Sequence, residues 1–262
     1  MNARNALAVK TPLVLVFGLI CWAASLQGSD WRHTYTSPLL DTSPESSPVT
    51  LFGAVDVRDE LSVDLFSYSF EKALKIRNRS TIGILLVIVE SNIEGRFSVE
   101  GISSIDTRDF FFAPTLLMPG ETETIQSVFG PIKQPTKELE FVERLPRVTS
   151  RARFVQFADG SFWGDIHVAQ EDISQRSQSM SKLHQLREEY EANGEDRFVA
   201  SLMTMTSDLN VSFLQSEFKQ SQSATQVLKK LDELLDNALL HEKLLKTADA
   251  KSSRPTGAVV RH

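Results

Sequence analysis

Apolar residues fall into three regimes along this chain, each with its own period. The first is an unbroken apolar stretch over residues 12–26, preceded by Arg4 and Lys10 and closed by Ala23, Ala24 and Ser25. At about 15 residues it is shorter than the roughly 20 that cross a bilayer as a helix. A cationic start, an apolar centre and a small-residue end make an export signal over 1–28. Cleavage is expected after Ser25. The alternative is an uncleaved signal-anchor, with its cationic flank in the cytoplasm and everything after Gly28 outside. A lipid anchor on Cys21 is disfavoured, because Ile20 before it is not small. Residues 29–48, rich in Ser, Thr and Pro, read as a linker interrupted by Pro38, Pro44 and Pro48.

The second regime, residues 49–167, has period two, the mark of strands with one buried face. Val49, Leu51, Val55 and Val57 alternate, as do Leu61, Val63 and Leu65. The phase then flips to Phe66, Tyr68 and Phe70, which predicts a bulge or a strand covered on both sides. Leu74, Ile76, Asn78 and Ser80 lead into the β-branched run 82–89, which fits a central strand buried on both faces. Further strands are expected at 96–99, 109–113, 123–129 and 137–144. Turns are expected at Glu94-Gly95, Met118-Pro119-Gly120-Glu121 and Gly130-Pro131. Short strands between frequent turn signals, without helical periods, predict an antiparallel β-sandwich or barrel.

The third regime is helical. Ile173, Met180, Leu183, Leu186 and Tyr190 lead to a stop at Asn193-Gly194. Phe198, Leu202, Met205, Leu209 and Phe213 follow at steps of three and four, then Val227, Leu231, Leu234, Ala238, His241 and Leu245. Ser223 is placed to cap the last stretch. Three amphipathic helices over 168–248 are expected, then a disordered tail at 249–262.

The order Ile76-Arg-Asn-Arg-Ser80, apolar strand, Leu117-Met-Pro-Gly-Glu121 resembles bacterial immunoglobulin-like and fibronectin-like envelope domains over about 50 residues. The resemblance implies a fold and no activity. The fold class expected is α+β: an N-terminal antiparallel, immunoglobulin-like β-sandwich followed by a three-helix C-terminal element.

One hairpin carries the candidate binding residues. Asp159-Gly160, taken as a two-residue type I′ loop, places Val155, Phe157, Phe162 and Ile166 on a core face. The opposite face presents Phe154, Gln156, Trp163, Asp165 and His167. Two aromatics, an amide, a carboxylate and an imidazole suit a recognition surface. The bland alternative is that the following helix folds back over Phe154 and Trp163.

Composition narrows the function. The net charge of −6 becomes two units more negative without the leader, and no basic stripe offsets it, which argues against nucleic acid. The single cysteine, Cys21, lies in the leader, so the mature chain has no disulfide or thiolate chemistry. Among five histidines no His-Glu-x-x-His occurs, and Asp165-x-His167 supplies two ligands where a metal takes more. No cofactor, metal or catalytic residue is assigned. Gly-x-Ser-x-Gly and phosphate-loop motifs are missing.

The expected function is an exported, non-enzymatic binding module of the cell envelope, periplasm or external medium. Its partner is a protein or envelope component, or a second copy held through the C-terminal helices. It meets the membrane through its N-terminal segment alone. The alternatives are an envelope-polymer hydrolase using Asp165 and His167, and a periplasmic assembly factor that binds clients along a sheet edge.

Overall fold

A computed structural model describes residues 31–61, 64–94, 102–135, 147–206 and 208–252. The export segment 1–28 and the strands expected at 96–99 and 137–144 lie outside the described residues. The described chain is α+β, eight strands followed by four helices. The strands are β1 (Trp31–Asp41), β2 (Val49–Leu61), β3 (Leu65–Asn78), β4 (Ile84–Glu94), β5 (Ile102–Asp109), β6 (Thr122–Pro135), β7 (Arg147–Phe157) and β8 (Phe162–Gly164). After a 3-10 turn at Ile166–Ala169 come α1 (Gln170–Asn193), α2 (Glu195–Thr204), α3 (Leu209–Ser221) and α4 (Ala224–Ser252).

The strands form one mixed sheet in the order β5-β4-β7-β1-β2-β3-β6, with β8 also on β7, curled nearly into a barrel. This corrects the expected sandwich, and the cause is β1. Residues 29–48 were expected to be a linker, yet Trp31–Asp41 is a strand. Its first part pairs antiparallel with β2 as far as Pro38↔Ala54. Its last part, Leu39 to Asp41, pairs parallel with Val148 to Ser150 of β7. Pro38, which has no N–H to give, marks the switch of partner. One strand therefore sews β1-β2-β3-β6 to β5-β4-β7, where a sandwich would keep two sheets apart.

The interior is filled by the period-two residues of the sequence: Val49, Leu51, Val55 and Val57 of β2, Phe70, Leu74 and Ile76 of β3, and Val87 and Val89 of β4. β4 is buried on both faces, as expected of its β-branched run. Leu86 and Ile88 face outward under Phe154 and Ala169. β3 shifts register against β6 between Tyr68 and Phe70, whereas the phase flip of the sequence falls earlier, between Leu65 and Phe66. Ser69 of β3 faces two residues of β6, Gly130 and Pro131, so this dipeptide is a bulge within β6 and not the turn expected there. Met118 to Glu121 does form a turn, with Glu121 N–H donating to Met118 O at 3.0 Å and Gly120 at φ +81°. The expected strand at 109–113 is instead the loop leaving β5.

The helices pack on Leu183, Leu186, Phe198, Leu202, Val211, Leu214, Val227 and Leu231. Four helices replace the expected three, because the Phe198-to-Phe213 stripe breaks at Met205. Asp208 restarts the chain as the N-cap of α3, accepting from Val211 N–H at 2.9 Å. The restart resets the phase. Val211 and Leu214 are buried, while Leu209 and Phe213 face solvent. α4 continues to Ser252, past the expected end of helix at 248. Among the described residues no helix is long and apolar enough to cross a membrane.

Candidate functional site: a polar barrel floor and its open seam

Lys72 sits on β3 in phase with Phe70, Leu74 and Ile76, where alternation calls for an apolar residue, and it is fully buried. A buried ammonium persists only if its donors are spent. Here Nζ donates to Ser91 Oγ of β4 at 3.1 Å, to Ser104 Oγ of β5 at 3.0 Å and to the Asp106 carboxylate of β5. Ser91 shares a further hydrogen bond of 2.8 Å with Ser150 of β7. Asp106 accepts a long one, 3.4 Å, from Ser127 of β6. The ammonium also lies 5.6 Å from the centre of the Phe129 ring. Five strands thus contribute to one polar floor inside the barrel.

Among the described residues β5 and β6 are the terminal strands of the sheet, and the floor draws on both. The two are not laddered to each other among the described residues. Side chains tie the two strands together: Ser127 to Asp106, and Arg108 to Glu123 at 2.8 Å. These pairs run antiparallel and bring Ile105 and Val128 to opposite lips on the outside. Ile105 is 69% and Val128 73% exposed. Ile125, Ser127 and Phe129, although inward-pointing, are only half-buried, as an open seam requires.

A second polar cluster joins helices to barrel. Arg176 of α1 is buried and binds Asp109 through two nitrogens at 2.8 and 2.9 Å, and Gln156 Oε1 at 2.8 Å. Its guanidinium lies 4.9 Å from the Phe111 ring centre. Asp172, one turn earlier, is pushed above the usual carboxylate range by burial, then by the nearby charges of Asp109 and Glu171. Buried His241 and half-buried Asn237 of α4 reach the carbonyls of Phe111 and Phe112 at 2.9 and 3.3 Å. The loop leaving β5 is the plug that the helices grip.

The predicted hairpin residues are not gathered on one face. The loop uses three residues, Ala158 to Gly160, and Phe157 N–H donates to Ser161 O at 2.9 Å. Pairing slips by one: Val155↔Trp163 and Gln156↔Phe162, where Val155 with Gly164 and Gln156 with Trp163 were expected. Trp163 therefore joins Val155 against the barrel core. Phe154 is buried beneath the 3-10 turn and α1, as the covering-helix alternative held, with Phe162 stacked on it at 5.8 Å. Gln156 is spent on Arg176. Asp165 caps the 3-10 turn by accepting from His167 N–H at 3.0 Å, and both side chains are exposed. No group of three possible metal ligands occurs among the described residues.

Sequence reasoning missed Lys72, Ser91, Ser104 and Asp106. The signal present was polarity in the wrong phase: Lys72 between Phe70 and Leu74, and Ser91 after Val87 and Val89. No family model, curated protein or solved structure matches this chain.

Proposed function

We propose that this chain is an exported, non-enzymatic interaction module working outside the cytoplasm, with residues 1–28 as its leader or anchor. The observation that carries the reading is where the buried charges go. Lys72 spends its donors on Ser91, Ser104 and Asp106, and Arg176 spends its own on Asp109 and Gln156. Both buried cations thus hold strands or helices in place, and a group saturated by its own fold has no capacity left for a reacting molecule. Asp165, the acid of the alternative hydrolase, is engaged in capping. The leader reading is compatible with the fold, since cleavage after Ser25 leaves β1 whole.

Two measurements test this. Fractionation and N-terminal sequencing are expected to find the protein outside the cytoplasm. Recovery from the cytosol with Met1 intact overturns the export reading. The purified mature chain is expected to release no soluble fragments from isolated envelope polymer. Release that disappears in Asp165→Ala or His167→Ala restores the hydrolase.

A further inference from the structure

We infer that Lys72 and Asp106 condense into an amide, so that the folded barrel carries an internal cross-link from β3 to β5. The reaction is the chain's own, and it stands whether or not the chain is an interaction module. The two side chains are in direct contact, Nζ on Oδ2, and both are buried. Their surroundings are apolar. Val55 faces Lys72 across the β2–β3 ladder and Val89 faces Asp106 across the β4–β5 ladder, each 0% exposed. The centre of the Phe129 ring lies 5.6 Å from Nζ. Burial strips both charges of hydration, and a pair in such a place can discharge itself by passing its shared proton from Nζ to Oδ2.

The hydrogen bonds aim the reaction. Two N–H bonds of Nζ point at Ser91 Oγ and Ser104 Oγ, at 3.1 and 3.0 Å, and the third points at Asp106. When the third proton crosses to Oδ2, the lone pair left on Nζ takes that third direction and faces the carboxyl group. The other carboxyl oxygen, Oδ1, accepts from Ser127 Oγ at 3.4 Å, a donor placed where negative charge grows as Nζ adds to Cγ. The Nζ–Cγ bond forms, a second proton follows from Nζ to Oδ2, and the Cγ–Oδ2 bond breaks to release water. One proton stays on the amide nitrogen. Ammonium and carboxylate together equal amide and water, so the step needs no oxidant, reductant or co-reactant.

The place of the bond gives it a use. β3 is laddered to β2 and β6, and β5 to β4, while no ladder joins β3 to β5 among the described residues. A bond from Lys72 to Asp106 ties the β3–β6 end of the sheet to its β5 end through the barrel interior. It also closes a loop in the unfolded chain, as a disulfide would. Cys21 is the sole cysteine, so no disulfide within the chain can do this. The ion pair of the floor is the state in which the chain folds, and the amide is what that pair becomes.

The test is intact-mass spectrometry of the purified chain, against the mass calculated from its sequenced amino terminus. The folded protein is expected to be one water lighter. Trypsin is expected to leave Lys72 uncut and to release segments 59–75 and 97–108 as one branched peptide, with its junction at Lys72 and Asp106. The Lys72→Met and Asp106→Ala proteins are expected at full mass. Chain recovered in urea from inclusion bodies at full mass is expected to lose water on refolding. A folded parent at full mass with a cut after Lys72 overturns the inference. So does a loss of water that persists in Lys72→Met, or a junction that maps elsewhere. Should both variants fail to fold, the branched peptide of the parent decides alone.

Discussion

Replacing Lys72 by Met keeps the aliphatic stem inside the barrel and removes the charge. Asp106, 6% exposed, is then left as a buried carboxylate whose remaining polar contact is the 3.4 Å bond from Ser127. Ser91 and Ser104 lose their donor as well. Breaking one side of a buried ion pair typically costs about 3–5 kcal/mol. A chain of this size stands on roughly 5–15 kcal/mol in total. At about 2–4 °C per kcal/mol, the melting temperature should fall by roughly 6–20 °C. The assay is urea unfolding at neutral pH, followed by Trp163 fluorescence, since Trp163 packs against the barrel core, and by far-ultraviolet circular dichroism. The diagnostic variant is Lys72→Met/Asp106→Asn, which also removes the orphaned charge. It should recover at least about half of the loss, a coupling between contacting residues that single substitutions cannot mimic. The cost should be nearly independent of salt, because a buried pair is poorly screened. A Lys72→Met protein within about 1 kcal/mol of the parent, or a double variant showing plain additivity, refutes the account of the floor as a mutually saturated network.

Three further outcomes are expected. Asn78→Ala removes an amide that donates to Ile82 O and Leu117 O, both at 2.9 Å, and accepts from Ser80 N–H; urea unfolding should show a loss of about 1–3 kcal/mol. Arg176→Lys cannot reproduce the two-pronged grip on Asp109, so amide exchange should quicken in α1 and in the loop leaving β5 while β2 and β3 keep their protection. Asp172 titrates higher in the folded chain than its ordinary 3.8, so the folded state holds its proton over that interval. Stability from this group is therefore greatest at the acid end and falls as pH rises through the raised value. Asp172→Asn should flatten that decline in melting temperature measured across the interval, and an unchanged slope would remove Asp172 as its cause.

The parts of the fold legible in the sequence are those that local periodicity dictates. Alternation at Val49 to Val57 and at Phe70 to Ile76 reports a buried face wherever the partner strand happens to be. Gly194, with φ +78° and its N–H on Tyr190 O, ends α1 where the sequence places the stop. Ser223 caps α4 as expected, accepting from Gln226 N–H. What failed depended on distant partners or on loop geometry. β1 is a strand because β2 and β7 lie on its two sides, and its own Thr- and Pro-rich composition does not announce that. The hairpin slipped because Asp159-Gly160 satisfies a two-residue loop only if both residues take positive φ, and only Gly160 does, at +82°. A slip of one residue exchanges the faces of a strand, so Phe154 and Trp163 part company. The floor was invisible for a related reason: Lys72 and Asp106 are 34 positions apart and acquire meaning only when β3 and β5 meet.

The double allegiance of β1 has a kinetic consequence. Thr42 finds its β7 partner, Ser150, 108 positions later, so the end of β1 is fixed long after its start can pair with β2. Long-range parallel pairing of this kind is slow to nucleate. A polypeptide made amino end first would leave Leu39 to Asp41 idle until β7 had emerged. Such a delay leaves the contact that joins the two halves of the sheet to be made after both have formed.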